Sequence, residues 1–342
     1  MIGFQITGVY AGISGANISS VNNHGVVAVT GNDREINSED VQRVLQNARM
    51  VLVPPERKIL HVLPRQFVVD GYDGIRNPVG MIGVRLEVEA HIISASNTYL
   101  QNIVKCIQRN QLNLYDLVVS PLAAAEACLL PREKELGSLL IDIGGGTTDI
   151  VLYHGGSIWY TAGLPIGGDH VTSDLAVGIR TTLNEAEKVK RENGCVLAEL
   201  APDNQTIAVQ TVGGREVNRI SRKTVASIIK PRVQEIFAMI RDEVTRSGYQ
   251  GTILGGCILT GGTSLIDGMQ ELAQAELQIP VRIGYPTGVG GLADVVNDPQ
   301  YSTSVGLVLQ AARNCREGMV TEGDPLLGGI WGRIRSWWKE MA

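Results

Sequence analysis

Residues 139–150 constrain this chain more than any other stretch. They read Leu-Leu-Ile-Asp-Ile-Gly-Gly-Gly-Thr-Thr-Asp-Ile, and the apolar character continues to Tyr153. Short apolar runs broken by glycine are buried strands joined by a turn. Three adjacent glycines, Gly144, Gly145 and Gly146, permit positive φ and let a ligand approach the backbone closely. Successive N–H groups in such a turn form a nest suited to phosphate. Thr147 and Thr148 add hydroxyls, and Asp142 is placed to hold Mg2+ through water. A plain hairpin with a flexible turn is the alternative, although it needs neither flanking aspartate. The motif has no Gly-Lys-Ser/Thr, unlike a Walker loop, and a strand follows it, unlike a Rossmann fingerprint. It reads as a phosphate clamp on a β-hairpin.

With 342 residues the chain is too long for one small core, so two or more domains are expected. A net charge of −5 argues against a nucleic-acid surface. The five cysteines and five histidines are scattered, without metal-ligand or disulfide spacing, which fits a reducing cytosol. No apolar run is long enough for a membrane span, and no secretory leader is recognisable at the start.

Along the chain, residues 5–14 read as a core strand. Asn37 is placed to cap a helix carrying Val41, Val44, Leu45 and Ala48 on one face. Strands are expected at 59–70 and at 82–90, the latter continuing through 87–94. Asn97 is expected to cap a second helix, with Leu100, Ile103, Val104 and Ile107 on one face. A strand at 114–119 and a helix at 122–130 follow, an order that implies a parallel sheet with crossover helices. Beyond the glycine turn come a strand at 157–161, helices at 169–177 and 184–192, and a hairpin over 206–220. A long helix over 222–247 should be kinked by Pro231. A strand at 256–260, a helix at 265–277, a strand at 281–284 and a helix at 301–312 complete the pattern.

Two further sites carry chemistry. Gly261, Gly262 and Thr263 form a second glycine junction after a strand, where a base or ribose can lie against the backbone and a helix start favours phosphate. On the 184–192 helix, Glu187 and Lys190 share a face. They suit ribose hydroxyls, or they are an ordinary surface ion pair. The C-terminal segment 330–342 differs from everything before it. Ile330, Trp331, Ile334, Trp337, Trp338 and Met341 fall on one helical face, with Arg333, Arg335 and Lys339 supplying positive charge. Tryptophan favours the headgroup boundary, and the pattern suits a helix lying in the membrane plane; docking onto the protein's own core is the other reading. About 12 residues span only ~18 Å, so one copy binds weakly and assembly strengthens attachment.

The order of these motifs resembles the actin, heat-shock chaperone and sugar-kinase ATPase superfamily. Residues 142–149 resemble its second phosphate loop, 259–265 its adenosine loop, and 121–127 and 303–309 its two connecting helices. Within it, the stretches 8–15, 77–80, 167–174, 186–190 and 301–307 resemble the FtsA family of bacterial cell-division proteins.

The resemblance implies an actin-like, ribonuclease-H-like two-lobed α/β fold that binds ATP and Mg2+. Residues 1–15 and 87–138 would form the first lobe core, with a small α+β subdomain inserted at 16–86. The second lobe core would be 139–177 and 249–312, with a small subdomain at 178–248. A linker at 313–329 would lead to the membrane helix at 330–342. The implied role is a division adaptor at the inner face of the cytoplasmic membrane. It would form filaments, hold the C-terminal tail of FtsZ through 178–248 with Arg232, and recruit later division proteins through 16–86. No nucleic acid is implied.

Two departures from the family pattern matter. The first phosphate loop, with Asp-x-Gly-Thr, is expected ahead of residue 6 and is not in this sequence; by the resemblance about 60–70 residues are absent. The first-lobe sheet should then keep few strands and expose an apolar edge. Second, heat-shock chaperones carry a catalytic glutamate before the proline matching Pro121, where this chain has Ser120. A serine cannot act as a carboxylate base, so hydrolysis is expected to be slow or negligible and no catalytic residue is assigned. An active ATPase or sugar kinase, a pilus-assembly or shape-determining actin homologue, and a degenerate paralogue that no longer binds nucleotide are the competing readings.

Overall fold

A computed structural model of the protein describes residues 6–31, 33–202, 204–213, 217–249, 251, 253–291 and 293–316. The membrane helix expected at 330–342 and nearly all of the expected linker lie outside these residues.

Strand β1 (Gly8–Ile13) leads through Gly15 into β2 (Ile18–Ala28). Helix α1 (Ser38–Arg49) begins as its sequence requires. Asn37 Oδ1 accepts from the N–H groups of Glu39 and Asp40 at 2.8 and 3.1 Å, and Asp40 accepts from the Asn37 N–H at 3.1 Å. Such reciprocal capping satisfies donors that the helix itself leaves open. The expected face, Val41, Val44, Leu45 and Ala48, is buried.

Strands β3 (Arg57–Val69), β4 (Tyr72–Ile75) and β5 (Arg85–Ser96) complete a four-stranded antiparallel sheet in the order β2-β5-β3-β4. The strand expected at 82–90 and continuing through 87–94 is one element, β5, which starts at Arg85. It pairs with β2 from Arg85 to Ala95 and with β3 from Leu86 to Ser96, and therefore crosses the division expected at residue 86. One face of this sheet packs on α1 through Phe67, Val88 and Ile92.

Helix α2 (Asn97–Arg109) follows directly. Its cap residue is Ser96, not Asn97, whose amide instead donates to Pro55 O at 3.3 Å. Leu100 is buried, and Ile103, Val104 and Ile107 pack half-buried on the core. Strand β6 (Asn113–Val119) pairs in parallel with β1, a two-stranded sheet. That sheet keeps few strands: among the described residues β1 and β6 pair only with each other, and β1 is half-exposed from Gly8 to Gly12, with Val9 and Ala11 packed partly on the core, Ile13 buried and Ile6 exposed ahead of the strand. Helices α3 (Ser120–Cys128) and α4 (Pro131–Leu136) lead to the second lobe.

That lobe is built on β7 (Ser138–Ile143), β8 (Thr148–His154) and β9 (Ser157–Leu164), followed by α5 (Gly168–Gly178) and α6 (Leu183–Asn193). The hairpin β10 (Thr206–Gln210) and β11 (Val217–Ser221) precedes α7 (Arg222–Ser247). Helix α7 runs as one element through Pro231, with Val225, Ile229, Val233, Phe237 and Ile240 buried on both sides of the proline. Then come β12 (Cys257–Thr260), α8 (Met269–Leu277), β13 (Val281–Ile283), α9 (Ala293–Val296) and α10 (Ser302–Arg316). The five-stranded sheet has the order β13-β12-β7-β8-β9. Strands β12 and β13 are parallel to β7, whereas β7, β8 and β9 form an antiparallel meander.

Two helix bounds differ most from those expected. The helix expected from residue 265 is a 3-10 turn over Gly262–Leu265, and α8 starts only after Gly268, whose φ is 83°. The first residues of the expected linker, 313–316, are still helical, since α10 continues to Arg316, and Arg313 is ion-paired with Glu126.

Candidate functional site

The glycine turn joins β7 to β8, with Asp142 opposite Asp149 and Ile143 opposite Thr148. Gly144, Gly145 and Gly146 are not among the positive-φ glycines, so the left-handed backbone expected here is not used. Space is what the turn needs. An added Cβ on Gly145 would lie 3.1 Å from Asp169 Oδ1, and one on Gly167 would lie 2.5 Å from Gly145 O. The start of α5 is thereby pressed onto the turn, where the Gly168 and Asp169 N–H groups donate to Gly144 O and Gly145 O at 2.9 and 2.8 Å.

The two threonines have different roles. Thr148 is buried, and its hydroxyl donates to Ile166 O at 2.8 Å, so it fastens the core and is not a phosphate contact. Thr147 remains on the turn and donates to Asp149 Oδ2 at 3.1 Å. Asp149 Oδ1 also accepts from the Gly15 N–H at 2.9 Å. Burial, reinforced by the nearby Asp142 charge, pushes the Asp149 carboxyl up to about 7. Asp142 accepts from Thr303 Oγ1 at 2.8 Å, and desolvation raises its pKa as well. Neither aspartate has a cationic partner among the described residues' ion pairs. A carboxylate pair of this kind fits a hard cation that keeps most of its water. Among the described residues no cluster of three or more acidic, histidine or cysteine side chains offers a dry metal cage.

Across from the turn, Glu187 and Lys190 on α6 are an ion pair at 2.6 Å. Lys190 is buried and its ammonium also donates to Gly168 O at 3.0 Å and Thr172 Oγ1 at 2.9 Å. The Glu187 carboxyl also accepts from Thr172 Oγ1 at 2.5 Å. Partial burial works against ionisation of Glu187, but the hydrogen bonds from Lys190 and Thr172 outweigh it and hold its pKa low. The third wall is the turn Gly262–Leu265, latched to the glycine turn by Thr263 Oγ1 donating to Gly144 O at 2.9 Å.

These walls enclose a cleft of about 370 Å3. Of the residues anticipated from sequence, Gly145, Glu187, Lys190, Gly262 and Thr263 line it, while Gly144, Gly146 and Thr147 belong to the turn beside it. Gly261 faces inward, against Asp142 and Ile143. Asp169, Arg191, Asp298 and Gln300 also line the cleft and were not anticipated. Asp169 follows the Gly-Gly pair that marks the start of α5, a usable signal; Asp298 and Gln300 sit in a short turn with no motif of their own.

Ser120 is the first residue of α3, buried, with its hydroxyl 2.9 Å from where a Gly12 Cβ would lie. Arg232 is not a free cation. Its guanidinium donates to both Asp174 oxygens, at 2.6 and 3.1 Å, and to Glu235.

The family model described as "Cell division protein FtsA" matches residues 139–306, and "SHS2 domain inserted in FTSA" matches residues 15–94. The Pseudomonas aeruginosa cell division protein FtsA is 44% identical over 319 residues, covering 93% of this chain and 76% of that protein. The chain belongs to the FtsA family of cell division proteins.

The Bacillus subtilis FtsA is 40% identical, covering 92% of this chain and 70% of the relative. For the Escherichia coli K12 FtsA the figures are 37%, 89% and 74%. Among solved structures, a PilM-PilN type IV pilus biogenesis complex aligns with a TM-score of 0.57 at 19% identity, covering 85% of this chain and 76% of that one. MreB5 of Spiroplasma citri bound to ADP aligns at 0.53 and 20%, covering 65% and 68%. These likenesses establish the two-lobed actin-like fold of this FtsA-family chain. Family membership assigns it an adaptor role in cell division. The pilus and shape-determining readings rest on fold alone and are not favoured. Among the described residues no helix is long and apolar enough to cross a membrane.

Proposed function

We propose that this chain is a division adaptor that binds ATP with Mg2+ in the cleft, assembles with copies of itself, and tethers FtsZ to the inner face of the cytoplasmic membrane at the division site. One observation carries the reading: in a chain of this family, the glycine turn, α6 and the Gly262–Leu265 turn converge on a single cleft of about 370 Å3. Gly144–147 backbone and Thr147 would face the phosphates, Asp142 would hold the water-clad cation, Glu187 would accept from ribose hydroxyls, and Gly262 and Thr263 would border the base. Bound Mg2+ would offset phosphate charge. Lys190 orients Glu187 and the start of α5 rather than meeting the ligand directly. With serine at 120 no carboxylate stands ready as a base, so occupancy rather than turnover is the signal.

A carboxylate-bearing peptide from FtsZ would meet Arg232 only by displacing Asp174 or Glu235, which makes the contact an exchange of ion pairs. The inserted unit would receive later division proteins. The segment 330–342 would lie on the lipid surface through Trp331, Trp337 and Trp338, with assembly supplying the avidity one short helix lacks.

The test is binding of a fluorescent ATP analogue with Mg2+. A Cβ on Gly262 meets only Gln300 Cβ, at 3.6 Å, an ordinary contact, so a side chain there starts without a clash and narrows the cleft. Gly262→Val should lower affinity about tenfold or more, ~1.4 kcal/mol, with an unchanged melting temperature. Equal affinity would overturn the placement of the base, and no binding by the native chain would overturn the nucleotide reading. For the tether, changing Trp337 and Trp338 to Glu should abolish sedimentation with anionic vesicles; unchanged sedimentation would refute it.

A further inference from the structure

Strand β9 lies at the edge of the five-stranded sheet and presents alternate residues to opposite sides. Tyr160 turns to α7, where its hydroxyl donates to Glu243. Thr161 and Gly163 turn the other way, and Trp159, the extra residue of a bulge opposite Leu152 and Tyr153, lies beyond them; the inserted sheet meets Trp159 and Thr161, and Gly15, just ahead of that sheet, meets Gly163. At Gly163 the contact is Gly15: an added Cβ on Gly163 would lie 2.5 Å from Gly15 O and 2.9 Å from Asp149 Oδ1. At Thr161, Ser20 Oγ donates to the carbonyl at 2.8 Å and His91 Nε2 is 2.9 Å from the hydroxyl. At Trp159, Asn22 Nδ2 donates to the carbonyl at 3.3 Å and the Arg65 guanidinium stacks 3.8 Å over the ring. Ser20 and Asn22 share one face of β2, and Asn22 is paired across the sheet with His91. The contacts form a row running from the tryptophan to the glycine turn.

The row ends on the phosphate side at a tight point. Gly15, with φ of 82°, carries the chain from the first lobe into the inserted sheet. Its N–H donates to Asp149 Oδ1, and a Cβ there would lie 2.8 Å from Thr147 Cγ2. Asp149 and Gly163 are themselves opposite one another across β8 and β9. A shift of Asp149 is therefore passed directly to Gly15 through its hydrogen bond and to β9 through the pairing with Gly163. The far end is less well satisfied: Arg65 Nε, Trp159 Nε1, His154 Nδ1 and Ser157 Oγ are buried without a hydrogen-bond partner. Unpaired buried polar atoms weaken the hold of an interface, so this end yields more readily than the end at Asp149.

We infer that Asp149 is a positioning residue that links the phosphate turn to the inserted sheet through Gly15, and that the β9 row carries nucleotide occupancy to that sheet. The inference rests on the nucleotide reading above. It differs from that reading in assigning Asp149 to the chain's own backbone and in giving the inserted unit an input from the cleft.

Hydrogen exchange of the full chain, measured with and without ATP and Mg2+, tests it alongside analogue binding. In the native chain, amides of 18–28 and 85–96 should exchange about threefold more slowly when nucleotide is bound. Asp149→Asn keeps an oxygen for the Gly15 N–H and should retain the slowing. Thr161→Val, remote from the cleft, should bind the analogue as the native chain does but lose most of the slowing in these strands. Analogue binding with no change in their exchange overturns the inference and leaves the nucleotide reading standing. Absence of binding overturns both. Retention of the full slowing in Thr161→Val overturns the β9 row as the route.

Discussion

Replacing Gly306 by alanine should lower stability by about 3 kcal/mol or more. Helix α10 crosses α3 at this residue, and an ideal Cβ would lie 1.8 Å from Ala123 O, 2.3 Å from its carbonyl carbon and 2.9 Å from its Cα. All three atoms are backbone, so no rotamer change relieves the clash and one helix must move. Movement of α10 would strain the bonds that fix its start: Thr303 to Asp142 at 2.8 Å, and Ser302 with Thr260 at 2.7 Å. In a helix with free space the same substitution would gain roughly 0.5–1 kcal/mol, so the sign itself is diagnostic. Urea unfolding gives the measurement, read as a fall in midpoint at constant slope. Val308→Ala, at an exposed position on the same helix, is the control and should change stability by less than about 0.5 kcal/mol. An unchanged midpoint for Gly306→Ala would mean that the helices do not cross this closely.

Gly261→Ala should be comparably damaging, for two reasons that add. The backbone there has φ of 87°, which costs an L-residue about 1–2 kcal/mol. An added Cβ would also lie 2.4 Å from both Asp142 Oδ1 and Ile143 O. Displacing those atoms costs roughly another 1–3 kcal/mol, and it moves the aspartate assigned to the cation. Loss of about 3 kcal/mol of stability should therefore accompany loss of analogue binding. The neighbouring Gly262→Val separates the two effects, since it should weaken binding without lowering the melting temperature. If Gly261→Ala melted like the native chain, the inward-facing conformation of this glycine would be wrong.

Much of the chain was legible because its signals are local. Asn37 followed by Glu39 and Asp40 is a cap wherever it occurs, and the face Val41, Val44, Leu45 and Ala48 follows from helical spacing. The strand, glycine turn and strand over 139–153 follow from apolar runs and turn chemistry. Glu187 and Lys190 sit three apart on a helix and so must be neighbours. The motifs also carried the family, and with it the two-lobed fold.

Tertiary structure alone decided the partners of these residues. Neither Thr147 nor Thr148 is marked by sequence as the inward one; pairing of Thr148 with Ile143 and Leu164 turns its hydroxyl to Ile166 O. The cleft is closed by Thr263 bonding to Gly144, separated by 119 residues, and Asp142 is held by Thr303, separated by 161. Asp149 meets Gly15 across 134 residues, a contact for which the sequence contains no sign. A residue's spacing and chemistry fix the element it joins and the face it shows, because both depend on neighbours a few positions away. Which atom finally satisfies a buried hydroxyl or carboxylate depends on how distant elements close around it. The sequence by itself therefore determined the strands, the glycine turn, the caps and the family. Only the packing of the lobes and the inserted sheet decided which side chains of the motif face the cleft and which hold the protein together.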